Sequence, residues 1–159
     1  MRKRSEGRDQ GLHLSRAGTR GADRFVIQLL DKDSFPSGSA ALEPSSLEAL
    51  AKIGLLVSGM TGAITVSGHT DNVPIRNGGQ YRSNWELSAA RAASVAHELL
   101  AAGLDPARLM VSGHADTQPR VLNDSPANRA LNRRVDITFA NGRDRPGRWT
   151  DALPADPSQ

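Results

Sequence analysis

Val66-Ser-Gly-His-Thr-Asp71 recurs 45 residues later as Val111-Ser-Gly-His-Ala-Asp116, and in each copy a proline, Pro74 or Pro119, stands three residues past the aspartate. Each copy overlaps a short run that reads as a strand, Ala63-Ile-Thr-Val-Ser67 in one case and Arg108-Leu-Met-Val-Ser112 in the other. Each strand therefore runs out into a glycine turn that delivers a histidine and an aspartate. If the two strands are parallel, both loops emerge at one edge of a sheet. Two copies are too few for a repeat fold.

Outward from this pair, the rest of the chain falls into alternating elements. Phe25-Val-Ile-Gln-Leu-Leu30 reads as a strand, broken by Asp31-Lys-Asp-Ser34 and Pro36-Ser-Gly38. Pro44 and Ser45-Ser46 open a helix whose Leu47, Leu50, Gly54 and Val57 share one face, with Gly59 and Gly62 as its stop. Between the two copies lies the best-marked helix. It opens on Ser83-Asn-Trp-Glu86, a capping box in which Ser83 and Glu86 are expected to satisfy each other's backbone amides. Ala92, Val95, Ala96 and Leu99 form its apolar stripe and Gly103 suits its C-terminal stop. Ser125-Pro126 starts a short helical turn, and Arg133 to Phe139 alternates as a half-buried strand, with Val135, Ile137 and Phe139 on one side. The expectation is an α/β two-layer sandwich, a single mixed sheet covered by helices on one face.

The apolar residues concentrate between Phe25 and Phe139, which sets the domain at residues 24–140. Residues 1–23 read as a basic flexible arm and 141–159 as a flexible tail without periodicity. Arg2, Lys3, Arg4, Arg8, Arg16, Arg20 and Arg24 against Glu6, Asp9 and Asp23 give the first 24 residues a charge of +4. The total is +3, so the remainder sums to −1. The body thus has no basic excess for nucleic acid, and 4% aromatic residues are too few for a base-stacking platform. The absence of cysteine excludes disulfides and thiolate chemistry. No apolar run approaches the roughly 20 residues that span a bilayer, and no secretory h-region opens the chain.

Two constellations could carry chemistry. His69, Asp71, His114 and Asp116 are metal-ligand and acid–base types that the two copies bring near each other, the basis for a metal-dependent enzyme. Against this, a histidine after a loop glycine more often bonds backbone or carboxylate, and no nucleophile elbow or phosphate loop is present. The other constellation joins Asp71 to Asn84, Leu87, Ser88 and Arg91. A carboxylate at a strand mouth and a guanidinium near a helix start can hold a zwitterion, Asp71 taking an ammonium and Arg91 a carboxylate. The plainer alternative is that Asp71 and Arg91 pair with each other as a structural salt bridge.

Phe35-Pro-Ser-Gly-Ser-Ala40, Ile64-Thr-Val-Ser-Gly-His-Thr-Asp71, Asn84-Trp-Glu-Leu-Ser-Ala-Ala-Arg-Ala92 and Asn132-Arg-Arg-Val-Asp-Ile137 stand in the order found in the OmpA-like peptidoglycan-binding domain, which the chain resembles. The long loop and Ser83-Asn-Trp-Glu-Leu-Ser88 are most similar to the flagellar-stator branch of that family. The resemblance implies a β-α-β-α-β-α-β fold and non-catalytic, cofactor-free binding of the diaminopimelate in the peptidoglycan stem. It places the main contacts on Asp71 and Arg91, with Thr70, Asn84, Leu87 and Arg134 lining the site, and leaves Ser88, Asn132 and Arg133 structural. It further implies a periplasmic location, a homodimer and a membrane stator partner. The missing membrane helix leaves two readings, a periplasmic portion of a membrane protein or a soluble relative.

Overall fold

The computed structural model describes residues 12–19, 22–76 and 79–140. The expected tail at 141–159 and the first part of the expected arm lie outside the described residues. Five strands form one sheet: β1 (Leu12–Thr19), β2 (Ala22–Leu30), β3 (Ile64–His69), β4 (Leu109–Gly113) and β5 (Arg134–Ala140). Their spatial order is β1-β2-β5-β3-β4. The β3–β4 pair is parallel and every other pair antiparallel, so the sheet is mixed as the sequence implied.

Among the described residues four α-helices accompany it, α1 (Asp31–Ser34), α2 (Pro44–Ser58), α3 (Asn84–Ala101) and α4 (Pro126–Asn132). Two elements depart from expectation. Residues 12–19, read as part of a flexible basic arm, form β1, which pairs with β2 along its whole length. A hairpin partner two residues away supplies backbone hydrogen bonds that require little apolar content, and composition alone carries no sign of it. The stretch Asp31–Ser34, read as a simple break, is the single turn α1.

The periodicities place the core. Val66, Val95, Leu99, Val135 and Ile137 are almost fully buried between the sheet and α3, with Leu29 and Leu50 beside them. Each such side chain contributes roughly 1.5–3 kcal/mol on burial. Gly68 and Gly113, the paired glycines of the recurring motif, explain why α3 lies so close. A Cβ at Gly68 would overlap the Ser88 carbonyl oxygen, and one at Gly113 would stand 2.7 Å from the Ala89 amide nitrogen. These are adjacent residues of α3, so the recurring glycines form the bed on which one helix turn rests. α2 docks on α3 in the same manner through Gly54 and Ala102. Arg108 ties the far end of α2 down, donating to the carbonyls of Gly62 and Val57 at 2.7 Å each.

The start of α3 is capped largely as expected. Ser83 Oγ accepts from the Glu86 amide, but Glu86 returns its carboxylate to the amide and guanidinium of Arg82 instead of the Ser83 amide. Arg82 offers a charged donor beside its own backbone amide, and a charge-assisted bond outcompetes a neutral one. Gly103, at φ +105°, closes the helix in the conformation that favours glycine.

Candidate functional site

One pole of the sheet collects the ends of β2 and β3, the start of β5 and the start of α3. Between them and residues 72–76 and 79–82 lies an open cleft of about 1030 Å³. Each element contributes a charge at its tip. β2 runs into α1 and places Asp31; β3 runs into Thr70 and Asp71; the second turn of α3 presents Arg91; the residue before β5 is Arg133.

These four groups form an alternating chain. Arg91 Nη1 lies 2.7 Å from Asp31 Oδ1, Arg133 Nε 3.1 Å from Asp31 Oδ2, and Arg133 Nη1 2.7 Å from Asp71 Oδ2. Asp71 and Arg91, the pair singled out from sequence, therefore each have a different partner. Asp71 also accepts from the Val73 amide at 3.0 Å, which folds the loop back across the cleft mouth. Asn84 holds the same loop by donating to the Val73 carbonyl at 3.0 Å.

Arg91 forms the back wall. Only 4% exposed, it donates from Nε to the Ser39 carbonyl at 2.9 Å and stands over the Phe35 ring at 5.0 Å. Its Nη2 has only a long contact, 3.5 Å, to the Pro36 carbonyl. Arg133 is the more accessible guanidinium, 33% exposed between the two aspartates. Burial pushes the Asp31 carboxyl above the ordinary carboxylate range, against the downward pull of Arg91 and Arg133. Desolvation likewise lowers Arg91, with Asp31 opposing it.

Asp71, Arg91, Thr70, Asn84 and Leu87 all line the cleft. Arg134 does not. It is buried on the sheet face opposite α3, donating to Asp136 at 3.2 Å and to the carbonyls of Asn132 and Gln118. The cause is the register of β5: Arg134 points with Asp136, whereas Arg133, one residue before the strand, swings toward Asp71. The cleft is thus lined by Arg133, which the sequence reading left structural, and by Asp31, which it passed over, and not by Arg134. The signal available for Asp31 was an acidic residue at the end of an apolar strand on the same edge as Asp71.

The histidines belong to a separate cluster. The rings of His69 and His114 stack at 5.0 Å with 12° between their planes. His69 Nε2 lies 3.6 Å from Asp136, and His114 Nε2 meets Ser112 Oγ at 3.0 Å. Burial, with Arg134 and His114 adding repulsion, lowers the His69 pKa to about 3, so it is neutral near pH 7. Asp71 is turned away toward Arg133 and Asp116 is exposed, so His69, Asp71, His114 and Asp116 do not converge. Among the described residues no group of three such side chains is placed to hold a metal ion, and no helix is long and apolar enough to cross a membrane.

Known proteins carry this architecture. Motility protein B of Escherichia coli strain K12 is 38% identical over 119 residues, covering 72% of this chain and 38% of that protein. Peptidoglycan-binding protein ArfA of Mycobacterium bovis is 33% identical over 105 residues, covering 65% of this chain and 31% of that protein. The chain thus spans well under half the length of these two relatives. The cell wall anchor of the T6SS from Pseudomonas aeruginosa has a similar structure, with a TM-score of 0.73 at 34% identity over 84% of this chain and 90% of that one. The OmpA family matches residues 34–133, the stretch from the end of α1 to the cleft arginine Arg133, and the chain belongs to that family.

Proposed function

We propose that this domain is a non-catalytic module that grips bacterial peptidoglycan by the diaminopimelate of its peptide stem. The observation that carries the reading is the alternating Arg91–Asp31–Arg133–Asp71 chain at the floor of an open cleft. Two carboxylates and two guanidiniums sum to zero, so the floor repels neither end of a ligand that is itself a zwitterion. A side-chain terminus bearing both ammonium and carboxylate can interleave with such a chain, the ammonium meeting Asp71 and the carboxylate the guanidiniums. Asp71 accepts one bond on each oxygen and retains lone pairs for a ligand.

Thr70, Asn84 and Leu87 complete the walls, and Arg133 takes the place first given to Arg134. The names of ArfA and the secretion-system anchor support the ligand class, and Motility protein B supports the stator branch. In that setting the domain stands in the periplasm, works as a homodimer and anchors a membrane stator partner to the wall. The test is sedimentation with purified insoluble peptidoglycan, with free diaminopimelate as competitor. Co-sedimentation that the competitor abolishes is expected; protein left in the supernatant refutes the reading.

A further inference from the structure

We propose that Tyr81 is a further ligand-binding residue of the cleft, its hydroxyl joining Arg91 Nη2 to seat the side-chain carboxylate of diaminopimelate. The inference rests on the peptidoglycan reading and deepens it, naming a donor that reads the carboxylate end of the ligand.

The Arg91 guanidinium is largely occupied by the protein itself. Nε donates to the Ser39 carbonyl at 2.9 Å, Nη1 pairs with Asp31 Oδ1 at 2.7 Å, and the Phe35 ring lies against the group at 5.0 Å. What remains is Nη2, whose contact to the Pro36 carbonyl is 3.5 Å long and correspondingly weak. Arg133 is committed through Nε and Nη1 to the two aspartates, on the side where the ammonium meets Asp71. A carboxylate brings two oxygens with about four acceptor positions. Seated at Arg91 Nη2, it still has room for a donor, and an acceptor taken out of water without one costs affinity.

Tyr81 is a donor without another task. It lines the cleft, is half-buried there, and among the described residues its hydroxyl has no hydrogen-bond partner. It also stands within electrostatic reach of Arg91. Burial lowers the Arg91 pKa, Asp31 opposes that most strongly, and Tyr81 and Asp71 both add to the opposition.

The neighbouring residues hold the ring in place. The Arg82 amide donates to Glu86 at 2.6 Å and the Arg82 guanidinium grips the same carboxylate at 2.8 Å, so the residue after Tyr81 is clamped to the first turn of α3. Ser83 caps that turn. A phenol carried one residue from a clamped helix start loses little freedom when it takes a ligand, and its ring can cover the aliphatic part of the side chain while the hydroxyl meets the carboxylate.

The experiment titrates the whole chain with two stem peptides, identical except that one carries diaminopimelate and the other lysine, which lacks the side-chain carboxylate. Tyr81→Phe is expected to weaken the diaminopimelate peptide about five- to twentyfold and to leave the lysine peptide within about twofold of wild type. Tyr81→Ala should add little to that loss. If the lysine peptide binds neither protein, the comparison of the Phe and Ala variants on the diaminopimelate peptide decides alone. A Tyr81→Phe protein with wild-type affinity for the diaminopimelate peptide overturns the assignment and leaves the peptide reading standing, whether or not Tyr81→Ala fails. So does one that weakens both peptides alike, which marks a residue that shapes the loop and touches no carboxylate. Failure of the wild type to bind either peptide overturns the assignment together with the peptidoglycan reading.

Discussion

The loops after β3 and β4 share Val-Ser-Gly-His-x-Asp, lie side by side and end differently. They are bonded to each other, the His114 amide to the Gly68 carbonyl and the Thr70 amide to the Ala115 carbonyl. Their serines meet at 3.0 Å and their histidines stack. Yet Asp71 is buried under Arg133, and Asp116 points into solvent. The divergence sits at one residue. Ala115 has a φ of +50°, a left-handed turn that sends the chain away from the cleft, whereas Thr70 at the matching position does not. Strand and glycine set where a motif stands; the turn after the histidine sets what its aspartate can reach.

The largest break in this comparison should come from its common part. Gly68→Ala is expected to cost at least ~3 kcal/mol, because the new methyl overlaps the Ser88 carbonyl in backbone that cannot move independently. Thermal denaturation should show a fall of more than 10 °C. Gly113→Ala should be milder, its closest approach being 2.7 Å.

The histidines come next. His69 has a folded pKa of about 3, below the ordinary 6.5, so between those values the unfolded chain binds more protons than the native one. Its contribution is therefore fully present above about pH 6.5 and is lost as pH falls toward 3, on the order of ~2–4 kcal/mol. Asp31 and Asp136, whose pKa values are raised by burial, act in the opposite sense and gain stability on protonation. Urea titrations from pH 7 to 4 should show His69→Asn flattening the acid loss relative to wild type. An unchanged slope would show that the stacked pair is not held neutral.

The aspartates sharpen the functional half. Asp71→Ala should weaken peptidoglycan binding about tenfold to a hundredfold, since it removes a charge-assisted partner, while Asp116→Ala should leave Kd within about twofold. Equal losses from both would erase the distinction between the loops. The smallest effect belongs to Ala115→Gly. A left-handed residue costs roughly 1–2 kcal/mol with a Cβ, and glycine's extra unfolded freedom returns part of that, so a gain of up to ~1 kcal/mol is expected in denaturant midpoints.

Much of this architecture could be read before any coordinates. Four of the five strands, α2, α3 and the short α4 follow from apolar spacing and from stop signals such as Gly103. The site was half legible. Asp71 and Arg91 stand in motifs with recognisable neighbours, but Arg91 pairs with Asp31 across 60 residues (91 − 31) and Asp71 with Arg133 across 62. Pairing across such distances is set by sheet order, which periodicity does not encode. The β5 register that separates Arg133 from Arg134 turns on a single residue, the smallest shift that exchanges the faces of a strand.

The hairpin of β1 and β2 also determines how the domain would yield to a pull. Leu12 is opposite Leu29, so the chain joins the sheet at the cleft pole, while Arg24 is opposite Ala140 at the far pole. With the cleft held fast and the N-terminal side drawn away from it, β1 is loaded from Leu12 and peels off one bond at a time. That releases roughly 26 Å of chain at small force. The pull then arrives at Ala22 and runs along β2, whose bonds to β5 lie across the strand and share the tension together. The first strand acts as a compliant leader and the second as the stiff member behind it.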